Sequence, residues 1–134
     1  MRRSKMLSCG SYLPEGVMTN DDIAKIVETS NEWIEQRTGI KSRHIAAKGE
    51  TTSDMATRAA QKALEKAGLK GSDIDMIILA TTTPDQTFPA TAVTVQDNIG
   101  MGDKGFAFVS ADRDRKPLFS HSRSAHSEPP RGMR

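Results

Sequence analysis

The chain holds one cysteine in 134 residues, Cys9. That excludes an internal disulfide framework and a metal site built from clustered thiolates, and it fits a reducing compartment. Aromatics are also scarce, at 4% of residues, with Trp33 the sole indole. No apolar run approaches the roughly 18–20 residues that cross a bilayer, and the basic start MRRSKMLSCG lacks an apolar stretch after it. A cytoplasmic protein with no membrane role is expected. Charge of one sign is missing too: 19 Lys and Arg stand against 17 Asp and Glu, so overall charge gives no sign of a nucleic-acid partner. There is no G-x-G-x-x-G, which argues against a dinucleotide-binding domain.

What is present alternates between two patterns. Residues 5–13, KMLSCGSYL, read as a first strand closed by the turn signal Pro14-Glu15-Gly16. Thr19-Asn20-Asp21-Asp22 offers capping oxygens ahead of Ile23, Ile26 and Val27, which predicts a short helix. Thr29-Ser30-Asn31-Glu32 repeats that chemistry before Trp33, Ile34 and Arg37, with Gly39 placed to end a second helix. His44 to Ala47 reads as a brief extended piece. Thr51-x-x-Asp54 resembles a capping box, and Met55, Ala59, Ala63, Leu64 and Ala67 recur at helical spacing up to Gly68, so a helix is predicted over 52–67. The β-branched apolar run from Asp73 to Thr81 predicts a strand buried on both faces. Residues 89–96 predict a buried helix, with Val93, Val95 and Ile99 behind it and Gly100 ending it, and Phe106–Val109 a last strand. The order strand, helices, strand, helix, strand implies an α/β layered fold with a mainly parallel sheet.

The pattern stops after residue 109. Residues 110–134 hold half of the six prolines, His121, His126 and an excess of Arg and Ser, with too little apolar surface to offset ordering entropy. A disordered tail is expected there, with no metal site in its histidines. The expected organisation is one partial α/β domain at 1–109 and this tail at 110–134.

Three phrases together resemble one family: GSYLPEGVMTNDDIAKIVETSNEWIEQRTGIKSRHIA at 10–46, ETTSDMATRAAQKALEKAGL at 50–69 and DIDMIILATTTPDQTFPATAVTVQDNIG at 73–100. They are similar to the amino-terminal part of β-ketoacyl-acyl-carrier-protein synthase III, the condensing enzyme that starts bacterial type II fatty acid synthesis. The likeness covers roughly residues 5–108 and rests on the combination of NEWIxxRTGI with ATTTPDxxFP. It implies part of a thiolase-type fold, here the first half of an amino-terminal αβ half-domain, in an acyltransferase that works as a homodimer. Its substrates would be acyl-CoA, taken as substrate with no separate cofactor, and malonyl-acyl-carrier protein.

The resemblance also assigns residues. Thr29, Trp33 and Arg37 correspond to contacts with the coenzyme A nucleotide. Phe88 corresponds to a residue that reaches across the dimer and closes the partner's acyl pocket. Read without the family, Trp33 would be a core indole beside a solvated Arg37, and Phe88 a core or turn aromatic. The family's nucleophile is a cysteine at a helix amino terminus, assisted by a His and an Asn of the second half; about six residues past Phe108 this chain has Asp114, and no cysteine follows. No catalytic residue is therefore assigned, and the polypeptide is expected to be inactive alone. A shifted reading frame, a gene-model error, a truncated pseudogene or an evolved tail would each produce the switch within GFAFVSADRDRKP. Cys9 reads as a small buried hydrophobe in the first strand, and His44 as a surface or hydrogen-bonding residue. The alternative function is a degenerate coenzyme A-binding or dimerisation module without catalysis.

Overall fold

The computed structural model describes residues 3–110. The expected tail therefore lies outside the described residues, except Ser110, which belongs to the last strand. Along the chain come β1 (Gly16–Thr19), α1 (Asn20–Ala24), α2 (Asn31–Thr38), β2 (Ser42–Ile45), α3 (Thr52–Ala67), β3 (Met76–Ala80), α4 (Thr91–Asn98) and β4 (Phe106–Ser110), with a 3-10 turn at Gly71–Asp73. Among the described residues no helix is long and apolar enough to cross a membrane.

The helices follow local chemistry. Thr19 and Asp22 form a reciprocal capping box at α1, and the Lys25 ammonium and Thr19 groups hold the Asp22 carboxyl well below the usual carboxylate range. α1 ends at Ala24, so Ile26 and Val27 fall in the turn beyond it and are exposed. Ser30 caps α2 by accepting from the Trp33 amide, and Gly39 ends it in the left-handed conformation at φ 69°.

α3 runs over the sixteen residues from Thr52 to Ala67 between Thr51 and a left-handed Gly68. Its first turn leaves no amide orphaned. Thr51 N–H donates to Asp54 Oδ2 at 3.0 Å, and Asp54 N–H donates to Thr51 Oγ1 at 3.1 Å. The Thr52 and Ser53 amides donate to the Asp85 carboxylate at 2.6 and 2.9 Å. The TTTPD loop after β3 is thereby fastened to the start of α3, and Asp85 N–H in turn donates to Thr91 Oγ1 in α4 at 2.9 Å.

Two small sheets result. β1 and β2 pair antiparallel, Gly16 opposite Ile45 and Thr19 opposite Ser42. β3 and β4 pair parallel, Met76 opposite Phe106 through Ala80 opposite Ser110, with α4 as the crossover between them. Among the described residues, Ile34, Ala92, Val95 and Met101 are the buried apolar ones.

Three expectations are corrected. Residues 5–13 form no strand, because a strand needs a ladder partner and none lies beside this segment among the described residues. The segment instead runs against α3: Ser8 Oγ donates to the Ala63 carbonyl at 2.7 Å, and a Cβ on Gly10 would stand 2.3 Å from Ala59 O. Cys9, expected to be buried, is exposed for the same reason. β3 is covered on one face only, since Met76 and Ile78, with Phe106 and Phe108 of β4, are between two-fifths and three-fifths exposed on the other.

Candidate functional site

Thr29, Trp33 and Arg37 come from one stretch: Thr29 precedes the cap of α2, and the other two lie four residues apart on it. The i, i+4 spacing puts them on one helical face, and the Arg37 guanidinium carbon stands 4.7 Å from the centroid of the Trp33 ring. Trp33 is 54% exposed, so the structure sets aside the core reading of this indole. A face of this kind, flat and π-rich with a fixed cation on it, suits a planar heterocycle and a nearby anionic group.

Beside it lies a cleft of about 600 Å³ lined by Ile23, Val27, Glu28, Thr29, Ser30, Trp33 and Ile34. Thr29 Oγ1 is buried and has no hydrogen-bond partner among the described residues. An unpaired buried hydroxyl is costly, and Thr29 is one of the residues that line the cleft. Phe88 is not part of that lining; it sits in the loop after β3 and is 89% exposed.

Other candidates have structural roles. His44 Nδ1 lies 2.6 Å from the Pro14 carbonyl, the hydrogen-bonding role expected of it. Tyr12 donates its hydroxyl to Glu50, which pushes the phenol's pKa up and holds the carboxyl's down, while Arg58 Nη1 donates to Tyr12 at 2.6 Å. Among the described residues no group of three His, Cys, Asp or Glu is placed to hold a metal ion.

Two residues of consequence were not singled out from the sequence. Asp85 carries no local signal of its role, because the helix end it caps lies 33 residues earlier. Asn20 was read as one of a capping quartet, yet Thr19 does the capping and the Asn20 side chain is buried at 1% exposure, bonded to Asn31, Ile40 and Arg43.

No family model matches the chain. Relatives and solved structures do. The fold matches solved structures over about four-fifths of the chain: 3-oxoacyl-[acyl-carrier-protein] synthase III from Aquifex aeolicus (TM-score 0.70, 48% identity, 79% of this chain and 34% of that one) and the priming β-ketosynthase of the R1128 polyketide pathway (TM-score 0.71, 34% identity, 79% and 31%). The mixed α/β architecture is accordingly part of a thiolase-like condensing-enzyme fold.

Within that class, curated relatives that match in sequence share one name. The chain is 61% identical to β-ketoacyl-[acyl-carrier-protein] synthase III of Hyphomonas neptunium over 123 residues, 84% of this chain and 38% of that protein. It is 60% identical to the enzyme of the same name in Paramagnetospirillum magneticum over 106 residues, 79% of this chain and 32% of that one. The matched region is homologous to a part of β-ketoacyl-[acyl-carrier-protein] synthase III, and the chain spans about a third of the length of these relatives.

Proposed function

We propose that this chain carries the nucleotide-binding face of a β-ketoacyl-acyl-carrier-protein synthase III. In the whole enzyme, acyl-CoA would dock here as substrate before condensation with malonyl-acyl-carrier protein, at the start of fatty acid synthesis in the cytoplasm. The observation that carries the reading is the exposed Trp33 ring with Arg37 held over it, beside a cleft that Thr29 helps to line. The adenine of coenzyme A would stack on the indole, and the Arg37 charge would meet a phosphate. Phe88, 89% exposed, would find its cover in the acyl pocket of a second subunit of a homodimer.

The 134-residue polypeptide does not itself condense. Its one thiol, Cys9, is exposed in a segment that leads into β1, so it does not stand at a helix amino terminus, where the resemblance places the nucleophile. This observation favours a second reading, a coenzyme A-binding or dimerisation module without catalysis.

Affinity for coenzyme A separates the two. A few contacts without an opposing wall must offset the cost of immobilising a flexible ligand. Millimolar binding, worth only about 4 kcal/mol, is therefore expected of a partial site. Trp33, the sole indole, reports directly: titrating coenzyme A should change its emission only at millimolar ligand, and Arg37→Ala should abolish that change. Saturation at low micromolar ligand that Arg37→Ala removes would favour the binding module. An emission change that Arg37→Ala leaves intact would remove the nucleotide reading.

A further inference from the structure

Asn20 opens α1, and three bonds converge on its buried side chain. Its amide nitrogen donates to Asn31 Oδ1 at 3.0 Å and to the Ile40 carbonyl at 2.7 Å. Its oxygen accepts from Arg43 Nη2 at 3.1 Å. Asn31 is the first residue of α2, Ile40 lies two residues past its end, and Arg43 belongs to β2. One side chain therefore ties both ends of α2 to the start of α1 and anchors all three to the β1–β2 pair.

α2 needs that anchor. It has eight residues, far fewer than an isolated helix requires in water, and Ile34 is its one buried residue. The cleft forms between side chains of α1 with its exit, Ile23 and Val27, and side chains of α2, Trp33 and Ile34. Hydrogen bonds fix an angle between elements where so little apolar contact exists to do so. An apolar residue at position 20 would leave the Ile40 carbonyl, Asn31 Oδ1 and Arg43 Nη2 short of a partner at once, beside Arg43 Nη1, which is already buried without one among the described residues.

We propose that Asn20 is a positioning residue for the nucleotide face: it sets α2 against α1, so that Trp33, with Arg37 stacked on its ring, lines the cleft. This rests on the coenzyme A reading for its purpose, though its geometry can be tested without ligand. The variants are Asn20→Asp, which keeps the acceptor for Arg43 but loses both donors to the ends of α2, and Asn31→Ala, which removes one tie only.

The readout is acrylamide quenching and emission of Trp33 in the full chain at low micromolar concentration, well below the melting transition. With α2 released, Trp33 should pass from 54% to near-complete exposure, so the quenching constant should about double in Asn20→Asp and rise less in Asn31→Ala, with emission moving to the red. A side chain contributing stability alone would lower the melting temperature and leave this native baseline unchanged, and that result would overturn the proposal. Should Asn20→Asp fail to fold, Asn31→Ala decides: wild-type quenching there refutes the tie. Millimolar coenzyme A then separates the two readings. A smaller emission response in the variants than in wild type supports both, whereas no response in wild type alongside altered quenching in the variants sustains the positioning role and removes the nucleotide reading.

Discussion

Removing the Asp85 carboxylate should uncap α3 from a distance. Its two oxygens take the Thr52 and Ser53 amides, two of the four donors that the first turn of any α-helix leaves unpaired. Thr51 and Asp54 satisfy the other two between themselves, so no neighbour is free to substitute. A lost cap typically costs about 1 kcal/mol, and bonds to a charged acceptor lie at the upper end of that range. Because Asp85 is exposed, water would partly solvate the released amides, which sets the expectation for Asp85→Ala at about 1–2 kcal/mol. Asp85→Asn keeps one acceptor oxygen and should lose about half of that.

The assay is urea unfolding followed by far-ultraviolet circular dichroism, repeated across pH. Although Asp85 is exposed, desolvation beside the start of α3 works against its charge; the Ser53 and Thr52 hydrogen bonds outweigh it, and the carboxyl lies below its ordinary value of 3.8. A folded pKa below the unfolded one contributes stability that is present above pH 3.8 and fades as pH falls through the lower folded value. The gap between wild type and Asp85→Asn should accordingly be flat near neutrality and close in acid. If both variants fall within the ~0.5 kcal/mol band of ordinary surface substitutions, the capping argument is wrong.

Gly10→Ala should destabilise by about 1–3 kcal/mol in the same unfolding experiment, since its Cβ would stand 2.3 Å from Ala59 O and 2.5 Å from Ala63 N, both backbone atoms of a helix; a neutral effect would mean the 3–14 segment does not pack on α3. The uncovered face of Met76, Ile78, Phe106 and Phe108 should make the isolated chain bind an apolar dye and self-associate with concentration, and a monodisperse monomer with a sharp melt and no dye binding would contradict this. In an assay free of host enzyme, the 134-residue polypeptide should give no condensation of acetyl-CoA with malonyl-acyl-carrier protein; turnover above the blank would refute the reading of Cys9 as chemically idle.

What the sequence made legible is what sequence neighbours decide. α3 was expected over 52–67 and is observed at Thr52–Ala67, because its box, its apolar stripe and its left-handed Gly68 all act within a turn or so of the residues they control. α2, with Ser30 before it and Gly39 after it, was legible on the same terms. Sheets were not. The apolar content of 5–13 is right for a strand, but a ladder depends on what comes to lie alongside, and here the neighbour is a helix. β3 has the composition of a strand buried twice over, and the described residues supply only α4 for one of its faces.

The site divides along the same line. The Trp33–Arg37 pair follows from helical spacing alone, and the structure adds the 4.7 Å stack and the exposure of the indole. The groups that hold the pair in place were hidden, because Asn20 reaches Asn31, Ile40 and Arg43 across 11, 20 and 23 residues of chain. Each of those bonds is unremarkable in strength, and no periodicity or capping rule records which backbone carbonyl a buried amide will find. A short helix with one buried residue can present a stable surface only if such bonds exist, so the weakness of α2 as a helix was itself the signal that a polar anchor had to lie nearby.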